Sequence, residues 1–253
     1  MRLLPALFLT AALFLAACGR NSAYETPLTV AGAANLTDVL PQLGQAFQKK
    51  TGTKVMISFG STAQLSQQIE NGAPFDLFAS ADAEHVSALA AQQKVDSKSC
   101  AVYALGQLVL WSPAEGLKIE KLQDLATPQI HFIAIPQPEL APYGRAAVEA
   151  LKSAGLWDQI SPKVVYASSV SMAKQLAATG NADVAFTAQS LVLREPGKMV
   201  RIAASLYSPI EQELGIVAAT KHTSEATSFR EFMLGQEGRA ILAQNGYLPP
   251  PPR

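Results

Sequence analysis

Small hydroxyl and amide residues recur in this chain where an apolar strand gives way to a helical pattern. Val55, Ile57 and Phe59 alternate along a strand over 54–59, Gly60-Ser61-Thr62 breaks the alternation, and Leu65 and Ile69 follow at helical spacing. Leu28–Ala34 likewise runs into Asn35, with Val39, Leu40, Leu43 and Phe47 beyond it. Ile130–Ile135 runs into Pro136–Gly144, and Val164–Ala167 into Ser168-Ser169-Val170. Each such turn leaves backbone N–H groups unpaired and the positive end of a helix dipole pointing out of the sheet. None places a Lys or Arg where the helix starts. The chemistry this suits is capture of a small oxyanion by neutral donors. Each dipole contributes roughly 0.3–1 kcal/mol, and each hydrogen bond to a charged group roughly 1.5–3 kcal/mol. The plainer use of Ser61 or Thr62 is as a helix N-cap. Four turns of one kind in one chain favour convergence on a cleft.

The elements that must position these turns alternate strand and helix throughout. That argues for an α/β fold: two lobes, each a mostly parallel sheet flanked by helices, with ligand at the carboxyl ends of the strands. Ala101–Trp111 is an apolar run longer than a normal strand, and Gly106 divides it, so it reads as a strand leaving one lobe and entering the next. A strand at Gly215–Ala219 reads as the return crossing, with helices near 223–234 and 237–244 packing on the first lobe. The expected organisation is a signal peptide over 1–17, a tether over 18–27, lobe I over 28–107 and 217–248, lobe II over 108–216, and a Pro-rich tail over 249–253. Pro41 is late for the start of a helix over 36–49, which predicts a kink or a delayed start.

The opening residues read as a targeting segment. Arg2 precedes an apolar run, Leu3–Ala17, that is short for a membrane span. Leu15-Ala16-Ala17-Cys18 resembles a bacterial lipoprotein signal, so Cys18 is the expected lipidation site and the expected location is periplasmic, anchored to a membrane. The alternative is a plain secretory peptide with Cys18 an incidental thiol. With 20 basic and 20 acidic residues there is no basic patch or arm for nucleic acid. Two cysteines make no disulfide framework, and Cys100 reads as a small buried hydrophobe.

Several stretches together resemble the molybdate-binding periplasmic proteins (ModA) of bacterial ABC importers. They are Leu28–Asp38 with Val30-Ala31-Gly32-Ala33-Ala34-Asn35-Leu36-Thr37, the Phe59-Gly60-Ser61-Thr62 turn, Asn71-Gly72-Ala73-Pro74-Phe75-Asp76-Leu77-Phe78-Ala79-Ser80-Ala81-Asp82, and Ala141-Pro142-Tyr143-Gly144. The resemblance covers about residues 28 to 248. It implies a type II periplasmic-binding-protein fold whose lobes close on one tetrahedral oxyanion, molybdate and with it tungstate. It also implies a monomer without a cofactor, delivering to an ABC importer permease and its ATPase. By motif position it implies that Asn35 is the first-turn donor, Thr62 with Ser61 beside it the second-turn hydroxyl, Tyr143 the donor after the Pro-rich turn, and Val170 a backbone N–H donor. Some members use a Tyr where this chain has Phe186-Thr187, and Ala34 lacks a hydroxyl that others carry. Asp76 and Asp82 read as turn and cap residues.

Rival readings are weaker. Molybdate and tungstate carry no proton at neutral pH, so a shell of donors suits them. Phosphate would want an acceptor, and sulfate differs mainly in size, which leaves a sulfate or phosphate protein as the near alternative. Ser171-Met172-Ala173-Lys174 and Lys50-Thr51-Gly52 match fragments of a Ser-Lys hydrolase, but in reversed order and without Ser-Asp-Asn, so no enzyme is expected. His85, His131 and His222 lack ligand spacing, so no direct cation ligands are expected.

Overall fold

The computed structural model of the chain describes residues 27–113 and 117–250. The expected signal peptide, Cys18, nearly all of the expected tether and the last three residues lie outside the described residues. The strands are β1 (Leu28–Ala33), β2 (Val55–Gly60), β3 (Leu77–Ala79), β4 (Ala101–Gly106), β5 (Leu108–Ser112), β6 (Ile133–Pro136), β7 (Val164–Ala167), β8 (Val184–Ala188), β9 (Lys198–Arg201) and β10 (Ile210–Ile216). The helices are α1 (Leu40–Thr51), α2 (Thr62–Glu70), α3 (Glu84–Ala91), α4 (Pro142–Ser153), α5 (Trp157–Ile160), α6 (Val170–Ala178), α7 (Gln189–Val192), α8 (Thr223–Leu234) and α9 (Gln236–Gln244).

The strands form two five-stranded sheets, in the orders β2-β1-β3-β10-β4 and β7-β6-β8-β5-β9. In the first, β1 pairs parallel with β2 and β3, and β10 runs antiparallel to β3 and β4. In the second, β6 pairs parallel with β7 and β8, and β5 runs antiparallel to β8 and β9. These are the two α/β lobes expected from the alternation. Gln107 alone separates β4, which ends at Gly106, from β5, so the first crossing lies where the long apolar run is divided.

The second crossing lies earlier than expected. Residues 210–216 were expected in lobe II, yet β10 pairs with β3 and β4, so the chain has re-entered the first sheet by Ile210. The reason is that Glu211-Gln212-Glu213 sits inside the strand. Gln212 and Glu213 are buried there, so the stretch lacks the apolar alternation by which strands are read.

Pro41 acts as its geometry requires. A 3₁₀ turn spans Ala34–Leu36, and α1 begins only at Leu40, which places Pro41 in the first helical turn where its missing N–H costs nothing. The apolar face of α1 then packs on α8: Phe47 meets Phe229 edge-on at 5.1 Å between ring centroids. Burying each such side chain is worth roughly 1.5–3 kcal/mol. No helix among the described residues is long and apolar enough to cross a membrane.

Candidate oxyanion site

Every strand-end turn singled out above reaches one place. Ala33, Ala34 and Asn35 after β1, Ser61 and Thr62 after β2, Ala81 after β3, Ala141, Pro142 and Tyr143 after β6, and Val170 after β7 line a single enclosed cavity. It is small. Its volume is about 10 Å³. That is room for one compact species. No Lys, Arg, His, Asp or Glu lines it. Larger depressions lie between α1, α8 and α9 and beside His222, but each is lined by first-lobe residues and gathers none of these turns.

Local sequence explains each donor. Ser61 caps α2: its Oγ accepts from the Gln64 backbone N–H at 3.3 Å, and Gln64 Oε1 accepts from the Ser61 N–H at 3.3 Å, a reciprocal capping box. Thr62 Oγ1 accepts from the Ala81 N–H at 3.3 Å. The cap role of Ser61 therefore leaves its hydroxyl proton unused. Both hydroxyl oxygens are engaged as acceptors, and their own protons remain for a partner in the cavity. Val170 opens α6, so its N–H has no intrahelical acceptor, and Ser169 caps that helix through Met172 N–H at 3.2 Å. Pro142 opens α4, where a missing N–H is harmless, and this sets Tyr143 in the first turn. Tyr143 is fully buried. Burial pushes its phenol well above the usual range, with Tyr247 and Tyr103 adding to this. The phenol thus keeps its proton and stays a donor.

Asn35 stands at the cavity in an unexpected way. Its Nδ2 donates to Gln212 Oε1 at 2.7 Å and to Tyr247 Oη at 2.9 Å, which commits both amide protons. Its Oδ1 is buried without a hydrogen-bond partner among the described residues. Tyr247 Oη and Ser190 Oγ in turn donate to the Asn35 carbonyl, at 2.8 and 2.9 Å. The side chain thus anchors the turn, and the donor that Asn35 has left is its backbone N–H. Gln212, Tyr247 and Ser190 lie 155 to 212 residues away in sequence, and no motif marks them.

The lobes meet over the cavity. Ala63 N–H donates to Leu140 O at 3.2 Å. Arg145, two residues beyond Tyr143, reaches Asp82 at 2.5 Å and Glu84 at 2.7 Å on the first lobe. Arg194 donates to Asn245 Oδ1 at 2.9 Å on another side. Asp82 also accepts from the His85 backbone and ring. Burial works to raise its carboxyl, but His85 and Arg145 outweigh that and hold it below the ordinary value. Asp76 lies apart, accepting from Thr29, Thr220 and His222. The Ser-Lys fragments are dispersed. Lys174 is paired with Glu195 in the second lobe and Lys50 with Glu237 in the first. Among the described residues no cluster of three or more His, Cys, Asp or Glu could hold a metal ion.

Comparison with known proteins agrees with this architecture. The family model described as bacterial extracellular solute-binding protein matches residues 28–248. The molybdate-binding protein ModA of Rhodobacter capsulatus is 35% identical over 217 residues, covering 85% of this chain and 86% of that protein. That of Azotobacter vinelandii is 34% identical over 238 residues, covering 92% and 93%. A solved structure of the Azotobacter vinelandii periplasmic molybdate-binding protein superposes with a TM-score of 0.86 at 36% identity, over 88% of this chain and all of that one. With its two lobes, its strand-end cavity and these relatives, the chain belongs to the family of bacterial extracellular solute-binding proteins.

Proposed function

We propose that this protein captures molybdate, and with it tungstate, outside the cytoplasm and delivers it to an ABC importer. The observation that carries the reading is the lining of the cavity: hydroxyls, a protonated phenol and helix-start N–H groups, with no charged side chain. Such a shell suits a dianion that carries no proton. The names of the relatives support the same reading. Ser61, Thr62, Tyr143 and the backbone N–H groups of Asn35 and Val170 are the proposed donors. The protein works as a monomeric binding protein rather than an enzyme, without a cofactor, and with Cys18 carrying a lipid that anchors it to a membrane.

Calorimetric titration of the purified chain with molybdate, tungstate, sulfate and phosphate tests the reading. Tight heat with the first two and none with phosphate is expected. Binding of phosphate or sulfate in preference would move the protein to another oxyanion. The anchor is tested separately: C18S should release the protein from the membrane fraction, and retention there would sink the lipid assignment.

A further inference from the structure

The phenol of Tyr143 rests in a notch of the opposite lobe. Gly106 is the last residue of β4, at the hinge. A Cβ built there would lie 2.2 Å from Tyr143 Oη, 3.0 Å from Tyr143 Cζ and 2.8 Å from Gln212 Nε2. No side chain other than hydrogen fits without moving the phenol. Gly106 does not itself line the cavity, whereas Tyr143 does. Tyr143 is also fixed from its own side, since the neighbouring Gly144 packs directly on the Pro136 carbonyl and leaves the start of α4 no room to retreat. A phenol displaced from the notch therefore moves toward the anion.

We propose that Gly106 is a specificity-determining position acting through Tyr143: the notch draws the phenol oxygen back from the cavity and so sets the size of tetrahedral oxyanion that fits. The inference rests on the oxyanion reading above and extends it to the choice among ions of one shape. Gly106 touches no ligand. Its role is to position the residue that does. Well-packed interiors transmit such a shift rather than absorbing it. The cost of the misfit falls on the larger ion, because a smaller one can settle away from the intruding oxygen.

The test is Gly106→Ala in the full chain, with molybdate affinity read by calorimetry and sulfate affinity by displacement up to high concentration. The ratio of molybdate to sulfate affinity is expected to fall by about tenfold or more, in line with the cost of overpacking. Equal loss for both ions, or no loss, overturns the proposal. The pair Tyr143→Ala and G106A/Y143A is the second measurement. With the phenol gone, adding alanine at 106 meets only the end of the Gln212 side chain, so the double variant should fold with at most a modest loss of stability and keep the ratio of Y143A, and this comparison still decides if G106A alone does not fold. A double variant that remains unfolded, or whose ratio differs from that of Y143A, overturns it as well. Failure of the unchanged chain to bind molybdate would instead sink the functional reading. Binding by the unchanged chain with an unshifted ratio in G106A sinks this inference alone.

Discussion

The two lobes are built to one plan and hold their share of the cavity differently. Each sheet has three parallel strands, then an antiparallel strand that enters from a crossing, then an outer strand. The turns after β1 and β2 in the first lobe answer to those after β6 and β7 in the second. The first lobe sets the turn after β2 through a side-chain cap, the Ser61–Gln64 box, as the second sets the turn after β7 through Ser169. The second places Tyr143 through backbone packing, with Pro142 opening the helix and Gly144 seated on a carbonyl. The same strand-turn-helix device can thus be set by a hydroxyl or by a steric fit, and the two should fail in different ways.

The largest expected effect breaks the steric side. In Gly144→Ala the new Cβ would lie 2.0 Å from Pro136 O. Backbone must move, so the second lobe should lose about 3 kcal/mol of stability, the upper end for overpacking, read by denaturant unfolding. On the capped side, Ser61→Ala removes a cap worth about 1 kcal/mol and a donor to the anion worth roughly 1.5–3 kcal/mol. Calorimetry should therefore show an affinity loss near tenfold to a hundredfold beside a modest drop in stability. An unchanged affinity would remove Ser61 from the site.

Asn35→Ala sharpens the contrast between donor and anchor. It leaves Gln212 and Tyr247 without their shared partner, so unfolding should report a loss of roughly 1–3 kcal/mol. A variant with full stability but lost binding would mean that the side chain serves the anion after all. The smallest effect lies at the rim. Arg145→Met removes the cross-lobe pair with Asp82 and Glu84, a contribution of about 1 kcal/mol or less for a partly exposed pair. Asp82 sits below its ordinary 3.8, so its contribution is complete above that value and disappears as pH falls through the depressed one. The difference in melting temperature between R145M and the parent should hold steady from neutral pH to about pH 4 and close below it. A gap that persists in stronger acid would show that Asp82 is not the partner that matters.

The turns that line the cavity are legible because the device that places them is local. A strand's alternation, a break and a helical spacing fall within a dozen residues, so Ser61, Thr62 and Val170 can be found from their own neighbourhoods. The hinge was legible at Gly106 for the same reason. What supports the donors was not. Gln212 is fully buried in β10 yet sits between two glutamates, and its partners Asn35 and Tyr103 come from the turn after β1 and from β4. The polar triplet therefore hid both the strand and the point of return to the first lobe. Asn35 lines the cavity, but which of its groups faces it depends on Tyr247, 212 residues away.

The late return of β10 bears on how the chain is made. Within the first sheet β4 touches only β10, and β10 joins it to β3. Until residues 210–216 emerge, the first lobe has three paired strands and a fourth with nothing beside it. The strands of the second lobe, 108–201, are contiguous and can complete their sheet earlier. A chain emerging amino end first would therefore finish its second lobe before its first, and would carry an open strand edge through most of its synthesis, the condition in which nascent chains stick to one another.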